Sequence, residues 1–95
     1  KKFNKNNIIV AYEPIWSIGT GQIPTANELQ KTTIYIKKVL KDLFKKNSPA
    51  VLYGGSVDGN NVEMFKKIRE IDGFLIGGAS KSSKKFIDII KNYYR

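Results

Sequence analysis

Apolar positions along the chain fall into three short runs. Each is followed by a loop containing glycine and then by a stretch of helical periodicity. The runs are Ile8-Ile9-Val10-Ala11-Tyr12, Ala50-Val51-Leu52-Tyr53 and Gly73-Phe74-Leu75-Ile76. They do not alternate with polar residues and are rich in β-branched and aromatic side chains, which predicts strands covered on both faces. Strands that alternate with helices predict βα units and a parallel sheet. The first helix is announced by Thr25-Ala26-Asn27-Glu28, which has the spacing of a capping box. Leu29, Thr33, Ile36, Leu40 and Leu43 then share one face. Asn60-Asn61-Val62-Glu63 repeats the cap-to-acid spacing with Asn as the cap, and Val62, Phe65 and Ile68 point inward with Met64 beside them. In the last helix the predicted inward stripe is Phe86, Ile87, Ile90 and Tyr94.

A closed (β/α)8 barrel takes about 250 residues, roughly 31 per unit. Three units in 95 residues match that density. Three parallel strands cannot close a barrel and leave two bare edges. The fold class expected is therefore α/β: the last three βα units of a partial (β/α)8 barrel with parallel strands. Residues 1–95 form the C-terminal portion of one barrel domain, and about five units lie on the N-terminal side. The absence of Met at position 1 fits a chain cut from something longer.

Composition narrows the function classes. Hydrophobic residues make up 41% of the chain, enough for a core. There is no Cys, so no disulfide framework and no thiolate chemistry. No apolar run approaches the ~20 residues of a membrane span. The basic start Lys1-Lys2-Phe3-Asn4-Lys5-Asn6-Asn7 precedes too short an apolar stretch for a signal peptide. The net charge of +9 raises nucleic acid and anionic membranes as partners. The lysines, however, are scattered among apolar residues at helical spacing, among them Lys37, Lys41, Lys66, Lys84 and Lys91. They read as solvated outer helix faces, with no nucleic acid or membrane partner. Nothing in the pattern calls for a metal.

In parallel β/α proteins the chemistry sits on loops after the C-terminal ends of strands. The first such loop is Glu13-Pro14-Ile15-Trp16-Ser17-Ile18-Gly19-Thr20-Gly21. A carboxylate at the tip of a buried strand is costly without a task or a partner. Pro14 and Trp16 stiffen one end, and Gly19 and Gly21 free the other, as in a lid that closes in one piece. Closure would strip water from Glu13 and raise its basicity. The same features also suit a surface loop with Trp16 as a packing anchor and Glu13 in an ion pair. The second and third loops, Tyr53-Gly54-Gly55-Ser56 and Gly77-Gly78-Ala79-Ser80, place paired glycines directly after strands, the third opening the last helix. Exposed N–H groups there, backed by a helix N-terminus, form an anion cradle. One Gly-Gly pair says little, because tight βα turns use glycine anyway. Two in succession, at the last two loops where barrels hold phosphate, favour phosphate binding.

These residues resemble a known family. Tyr12-Glu13-Pro14-Ile15-Trp16-Ser17-Ile18-Gly19-Thr20-Gly21 resembles the active-site strand and lid of triosephosphate isomerases, a pattern E-P-[IV]-W-x-I-G-T-G that leaves position 17 open. Tyr53-Gly54-Gly55-Ser56-Val57 and Asp72-Gly73-Phe74-Leu75-Ile76-Gly77-Gly78-Ala79-Ser80 are similar to that family's next two phosphate loops, in the same order. The resemblance covers nearly the whole chain. It implies isomerisation of dihydroxyacetone phosphate and glyceraldehyde 3-phosphate, a step of glycolysis and gluconeogenesis, without metal or organic cofactor, in a cytoplasmic homodimer. It further implies that Glu13 is the base and that Gly19, Ser56, Gly77 and Gly78 grip the substrate phosphate. Pro14-Ile15-Trp16 would be the lid hinge, Ser17, Ile18, Thr20 and Gly21 would complete the lid, and Tyr53 would help hold it closed.

Departures accompany the match. The chain has no His, so the family's electrophile is absent from it, and the isolated chain is expected to be inactive. Lys81 stands where the family usually has Leu, and Pro24 follows the far end of the lid. Two other readings are open. One is another phosphate-binding barrel enzyme, such as a phosphosugar epimerase or an indole-glycerol-phosphate synthase type. The other is a truncated non-catalytic product or a basic module for acidic partners.

Overall fold

The computed structural model describes residues 6–95, so Lys1 to Lys5 of the basic start lie outside the described residues. Three parallel strands pair in the order β1-β2-β3: β1 is Ile9–Tyr12, β2 Ala50–Tyr53 and β3 Gly73–Phe74. Helix α1 spans Ala26–Phe44, α2 Val62–Phe65 and α3 Ser83–Tyr93. Single turns of 3-10 helix occupy Ile15–Ser17 and Gly78–Lys81. The three βα units are therefore the ones the apolar runs predict.

The sheet is covered on one face, not two. The register sets Val10 beside Val51, and Tyr12 beside Tyr53, so these side chains share a side. Helices cover that side, where Leu29, Tyr53, Val57, Val62, Phe65, Ile68, Ile71 and Ile89 form the core. The opposite side carries Ile9, Ala11, Ala50 and Leu52. Ile9 is 67% exposed there, and none of these four is buried. In a barrel this second face looks into the interior, and no described element covers it. The unalternating runs anticipate apolar character on both sides, but three strands supply cover for only one.

The capping box forms as predicted. Glu28 N donates to Thr25 Oγ1 at 3.1 Å, and Thr25 N donates to Glu28 Oε1 at 3.2 Å. Those bonds hold the Glu28 carboxyl below its ordinary value. Leu29 and Thr33 are fully buried, with Thr33 Oγ1 donating back to Leu29 O. Leu43, predicted on the same stripe, is 70% exposed. The 19 residues of α1 run about 28 Å at 1.5 Å each, longer than the four-residue strands beneath, so its last turn overhangs the sheet. Lys37 on its inner flank reaches Asp72 at 3.0 Å, and Asp72 Oδ2 also accepts from Val51 N at 2.8 Å.

The second helix is a short turn around Val62, Phe65 and Ile68, all buried as predicted, with Met64 partly so. Its cap differs from the predicted Asn60. Asp58 Oδ1 accepts from the N–H groups of Asn60 and Asn61, and Asn61 Oδ1 accepts from Asp58 N. A carboxylate two residues ahead offers better acceptor geometry to both amides than Asn60 offers to one.

The last helix departs furthest. Gly77-Gly78-Ala79-Ser80 opens a 3-10 turn, and α3 itself starts at Ser83 with Ser82 as its cap. Its buried residue is Ile89, with Tyr93 packed one turn on, while Phe86, Ile87, Ile90 and Tyr94 are 37–80% exposed. The helix docks on α2 and β3 through the Ile89 row. The predicted stripe lies beside it, and Phe86, Ile90 and Tyr94 edge an apolar cavity of about 210 Å³ with Phe74 and Ile76. Lys38, Lys41, Lys67, Lys84 and Lys91 are exposed as predicted, whereas Lys37 and Lys66 are half-buried, Lys37 paired with Asp72 and Lys66 donating to Asn92 O and Arg95 O. Among the described residues no helix is long and apolar enough to cross a membrane.

Aromatic rings tie the layers together. Tyr53 and Phe65 centroids lie 4.7 Å apart, Phe65 and Phe74 6.1 Å, and Phe74 and Tyr93 5.8 Å. Phe65, on α2, packs against Tyr53 of β2 and Phe74 of β3 and has no exposed surface. Phe65→Ala should therefore cost about 3–5 kcal/mol, measured by denaturant unfolding of the full-length protein. A loss below 1 kcal/mol would show that the ring is not the centre of the core.

Candidate active site

Glu13 leaves the C-terminal tip of β1, and the alternation of Ile9 and Ala11 puts it on the uncovered side of the sheet. Its carboxylate is exposed. Among the described residues the ion pairs are Lys37–Asp72 and Lys84–Asp88, so Glu13 is in neither. Its neighbour is the backbone of Gly54: a Cβ built there would lie 2.6 Å from Glu13 Cγ and 3.1 Å from Oε1. Gly54 N in turn donates to Tyr12 O at 2.8 Å, carrying the β1–β2 ladder one step beyond the strands. The glycine therefore lets the second strand run tight beneath the Glu13 side chain.

The loop 14–24 folds over this point. Pro14 and Pro24 are buried at its two ends, and Thr25 caps α1 immediately afterwards, so the far end abuts a rigid helix. Ile15 is 86%, Trp16 49% and Ile18 50% exposed. Trp16 is thus half-buried, with the rest of its ring open to solvent. The tip is shaped locally. Thr20 Oγ1 donates to Trp16 O at 2.8 Å and accepts from Gln22 N at 3.0 Å. Gly19 and Gly21 have φ of +68° and +81°, a left-handed conformation that explains both glycines.

What pins the loop is Ser17, which has no exposed surface. Its hydroxyl donates to Gln22 O, across the loop. It also meets Tyr53 Oη at 2.9 Å and accepts from Ser56 N at 3.1 Å. A hydroxyl has one proton, so with that proton on Gln22 O the Tyr53 phenol is the donor. Ser56 returns the contact: its Oγ donates to Ser17 O at 2.5 Å and accepts from Gly21 N at 3.0 Å. Gly55 threads this cluster so tightly that a Cβ would meet Tyr53 Oη at 2.0 Å and Ser17 Oγ at 2.5 Å. The sequence assigns Ser17 only to the lid. Its part in joining two loops is signalled by nothing except a small hydroxyl residue beside a Tyr-Gly-Gly-Ser turn.

The third loop differs. A Cβ at Gly77 or Gly78 would meet nothing within 4 Å among the described residues beyond its chain neighbours. Ser80 closes its own turn on Gly77 O. All three loops converge on one open groove of about 950 Å³, lined by Gly19, Gly21, Ser56, Gly77 and Gly78 among others. Lys81 and Lys85 also line it. Glu13 stands at its edge, in contact with the lining residue Gly54. The structure thus sets the Glu13 tip against the second loop, which shares the groove with the lid and the third loop. No group of His, Cys, Asp and Glu among the described residues is arranged to hold a metal ion.

Residues 1–93 match the triosephosphate isomerase family. The chain belongs to that family. The triosephosphate isomerase of Chlamydia abortus is 40% identical over 92 residues, covering 94% of this chain and 36% of that protein. The triosephosphate isomerase of Dictyostelium discoideum is 46% identical over 92 residues, covering 92% of this chain and 35% of that protein. That of Mycoplasma genitalium is 40% identical over 90 residues. The chain therefore spans about a third of the length of the curated relatives it matches. It carries part of an α/β barrel of an isomerase family, as the parallel three-stranded sheet agrees.

Two expectations follow from the geometry. Gly54→Ala drives a methyl into Glu13 and displaces the carboxylate. If Glu13 is the base, turnover of the full-length protein should fall by roughly 10²-fold, the usual effect of a 1 Å misplacement. An unchanged kcat would mean that Glu13 tolerates the shift. Burial pushes the Tyr53 phenol above its ordinary value of 10.0. The neutral phenol is the form the fold favours. Its stabilisation is present in full below pH 10 and fades as pH climbs through the raised value. The stability gap between the unaltered protein and Tyr53→Phe should therefore narrow above pH 10, as read by thermal unfolding. A gap independent of pH would contradict this.

Proposed function

We propose that this chain supplies the base and the phosphate loops of a triosephosphate isomerase, which interconverts dihydroxyacetone phosphate and D-glyceraldehyde 3-phosphate. The observation that carries the reading is a carboxylate at a strand tip, on the interior side of a barrel sheet, beside a groove lined by three glycine-bearing loops. In this reading the Glu13 carboxylate takes a proton from the carbon beside the substrate carbonyl. The C–H electron pair becomes the C=C bond of an enediol(ate), and the carbonyl oxygen takes up the charge. Glu13 then returns the proton to the neighbouring carbon, while the hydroxyl proton on the first carbon passes to the charged oxygen, so that the carbonyl re-forms on the first carbon. Gly19, Ser56, Gly77 and Gly78 hold the phosphate through backbone N–H groups, which fixes the two carbons relative to the base. Pro14, Ile15 and Trp16 are the hinge, and Ser17, Ile18, Thr20 and Gly21 the moving cover, held by Tyr53.

Triosephosphate isomerases are known for pairing the Glu base with a neutral His electrophile. This chain contains no His. The electrophile must come from outside these 95 residues, and the isolated chain is inactive in this reading. We also assign the complete protein to glycolysis and gluconeogenesis, to the cytoplasm and to a homodimer. It works there on a small phosphorylated triose without metal or organic cofactor. These assignments rest on family membership.

Glu13→Gln keeps the shape of the side chain and removes its basicity. In the full-length protein kcat should fall by roughly 10²–10⁴-fold with KM little changed, the usual share of a general base. Near-normal kcat would refute the role of Glu13. Turnover by the purified 95-residue chain alone would refute its predicted inactivity.

A further inference from the structure

We propose that the Ser17 hydroxyl is a positioning group that occupies the substrate phosphate's place on Ser56, so that latching the loop and gripping the phosphate compete for one N–H. This rests on the reading of the groove as a phosphate site. Ser56 N is one of the amides assigned to the phosphate, and here it donates to Ser17 Oγ at 3.1 Å. The contact is built rather than incidental. Ser17 is fully buried, its proton is committed to Gln22 O, and its second acceptor position is filled by Tyr53 Oη at 2.9 Å. The hydroxyl oxygen thus presents its remaining lone pair to Ser56 N, as a phosphate oxygen would.

The family pattern leaves position 17 open, so this latch belongs to this chain's own residue and not to the motif. An amide N–H serves one good acceptor at a time. A phosphate that takes Ser56 N must displace Ser17 Oγ. The Ser56 hydroxyl keeps its own bonds to Ser17 O and Gly21 N. The loop therefore remains docked while the amide changes partner. The latch holds the loop over the groove and weakens phosphate binding by about the worth of one hydrogen bond.

The test is the binding constant of inorganic phosphate to the full-length protein, with turnover assayed alongside. Ser17→Ala should tighten phosphate about fivefold, the equivalent of one ordinary hydrogen bond. Ser17→Thr, which keeps the hydroxyl, should stay within about twofold of the unaltered constant, well inside that difference. A purely structural role would leave the Ser56 amide in place. Here its NMR resonance must move as phosphate saturates the unaltered protein. Unchanged or weaker phosphate binding in Ser17→Ala, or a Ser56 resonance indifferent to phosphate, overturns the inference, and turnover by the unaltered protein then leaves the functional reading standing. Loss of both phosphate binding and turnover in the unaltered protein overturns the functional reading, and this inference with it.

Discussion

The structure turns on the two ends of Tyr53. Its ring is packed against Phe65 at 4.7 Å, inside the core, and its hydroxyl reaches Ser17 at 2.9 Å, inside the loop cluster. One side chain therefore joins hydrophobic burial to the geometry of the groove. The arrangement is possible only because Gly55 leaves room for it, since a Cβ there would meet Tyr53 Oη at 2.0 Å. Packing in the core fixes the ring, the ring fixes the hydroxyl, and the hydroxyl fixes a loop more than thirty residues earlier in sequence. A close-packed interior transmits position in this way because it resists small displacements.

The second constraint is the one-sided sheet. Covering one face with α1, α2 and α3 uses the residues of the Val51 and Tyr53 row and leaves the Ile9, Ala11 and Leu52 row open. Glu13 continues the open row. A carboxylate on the covered row would be buried among Leu29, Val62 and Phe65, where an unpaired charge is costly. The alternation of the strand thus sends the base to the side where a ligand can meet it, and the glycine of the neighbouring strand lets it lie flat.

The sequence is readable where local rules decide. The apolar runs mark all three strands, and Thr25 with Glu28 marks the start of α1 within a residue, because each depends on neighbours close in the chain. The last helix is misread because Phe86, Ile87, Ile90 and Tyr94 form as good a stripe as Ile89 and Tyr93, and periodicity cannot say which stripe finds a partner. Asn60 is misread as a cap because Asp58, two residues earlier, competes for the same amides. The loop motif locates Glu13 and the glycine pairs through family likeness. What it cannot convey is the Ser17 cluster, since Gln22, Tyr53 and Ser56 meet only after β1 and β2 have paired in register.

The two glycine-pair loops look alike in sequence and differ in physical cause. At Gly54 and Gly55 the space a methyl would need is already taken, by Glu13 and by the Tyr53 and Ser17 hydroxyls. Those glycines serve the protein's own packing. At Gly77 and Gly78 the same space is empty. No atom of the described residues beyond the chain neighbours fills it, and the loop opens onto the same groove as Ser56. The repeated pair therefore divides the groove into a half packed by the protein itself and a half left open for a ligand. Ser56 stands in the first half with its amide turned toward Ser17.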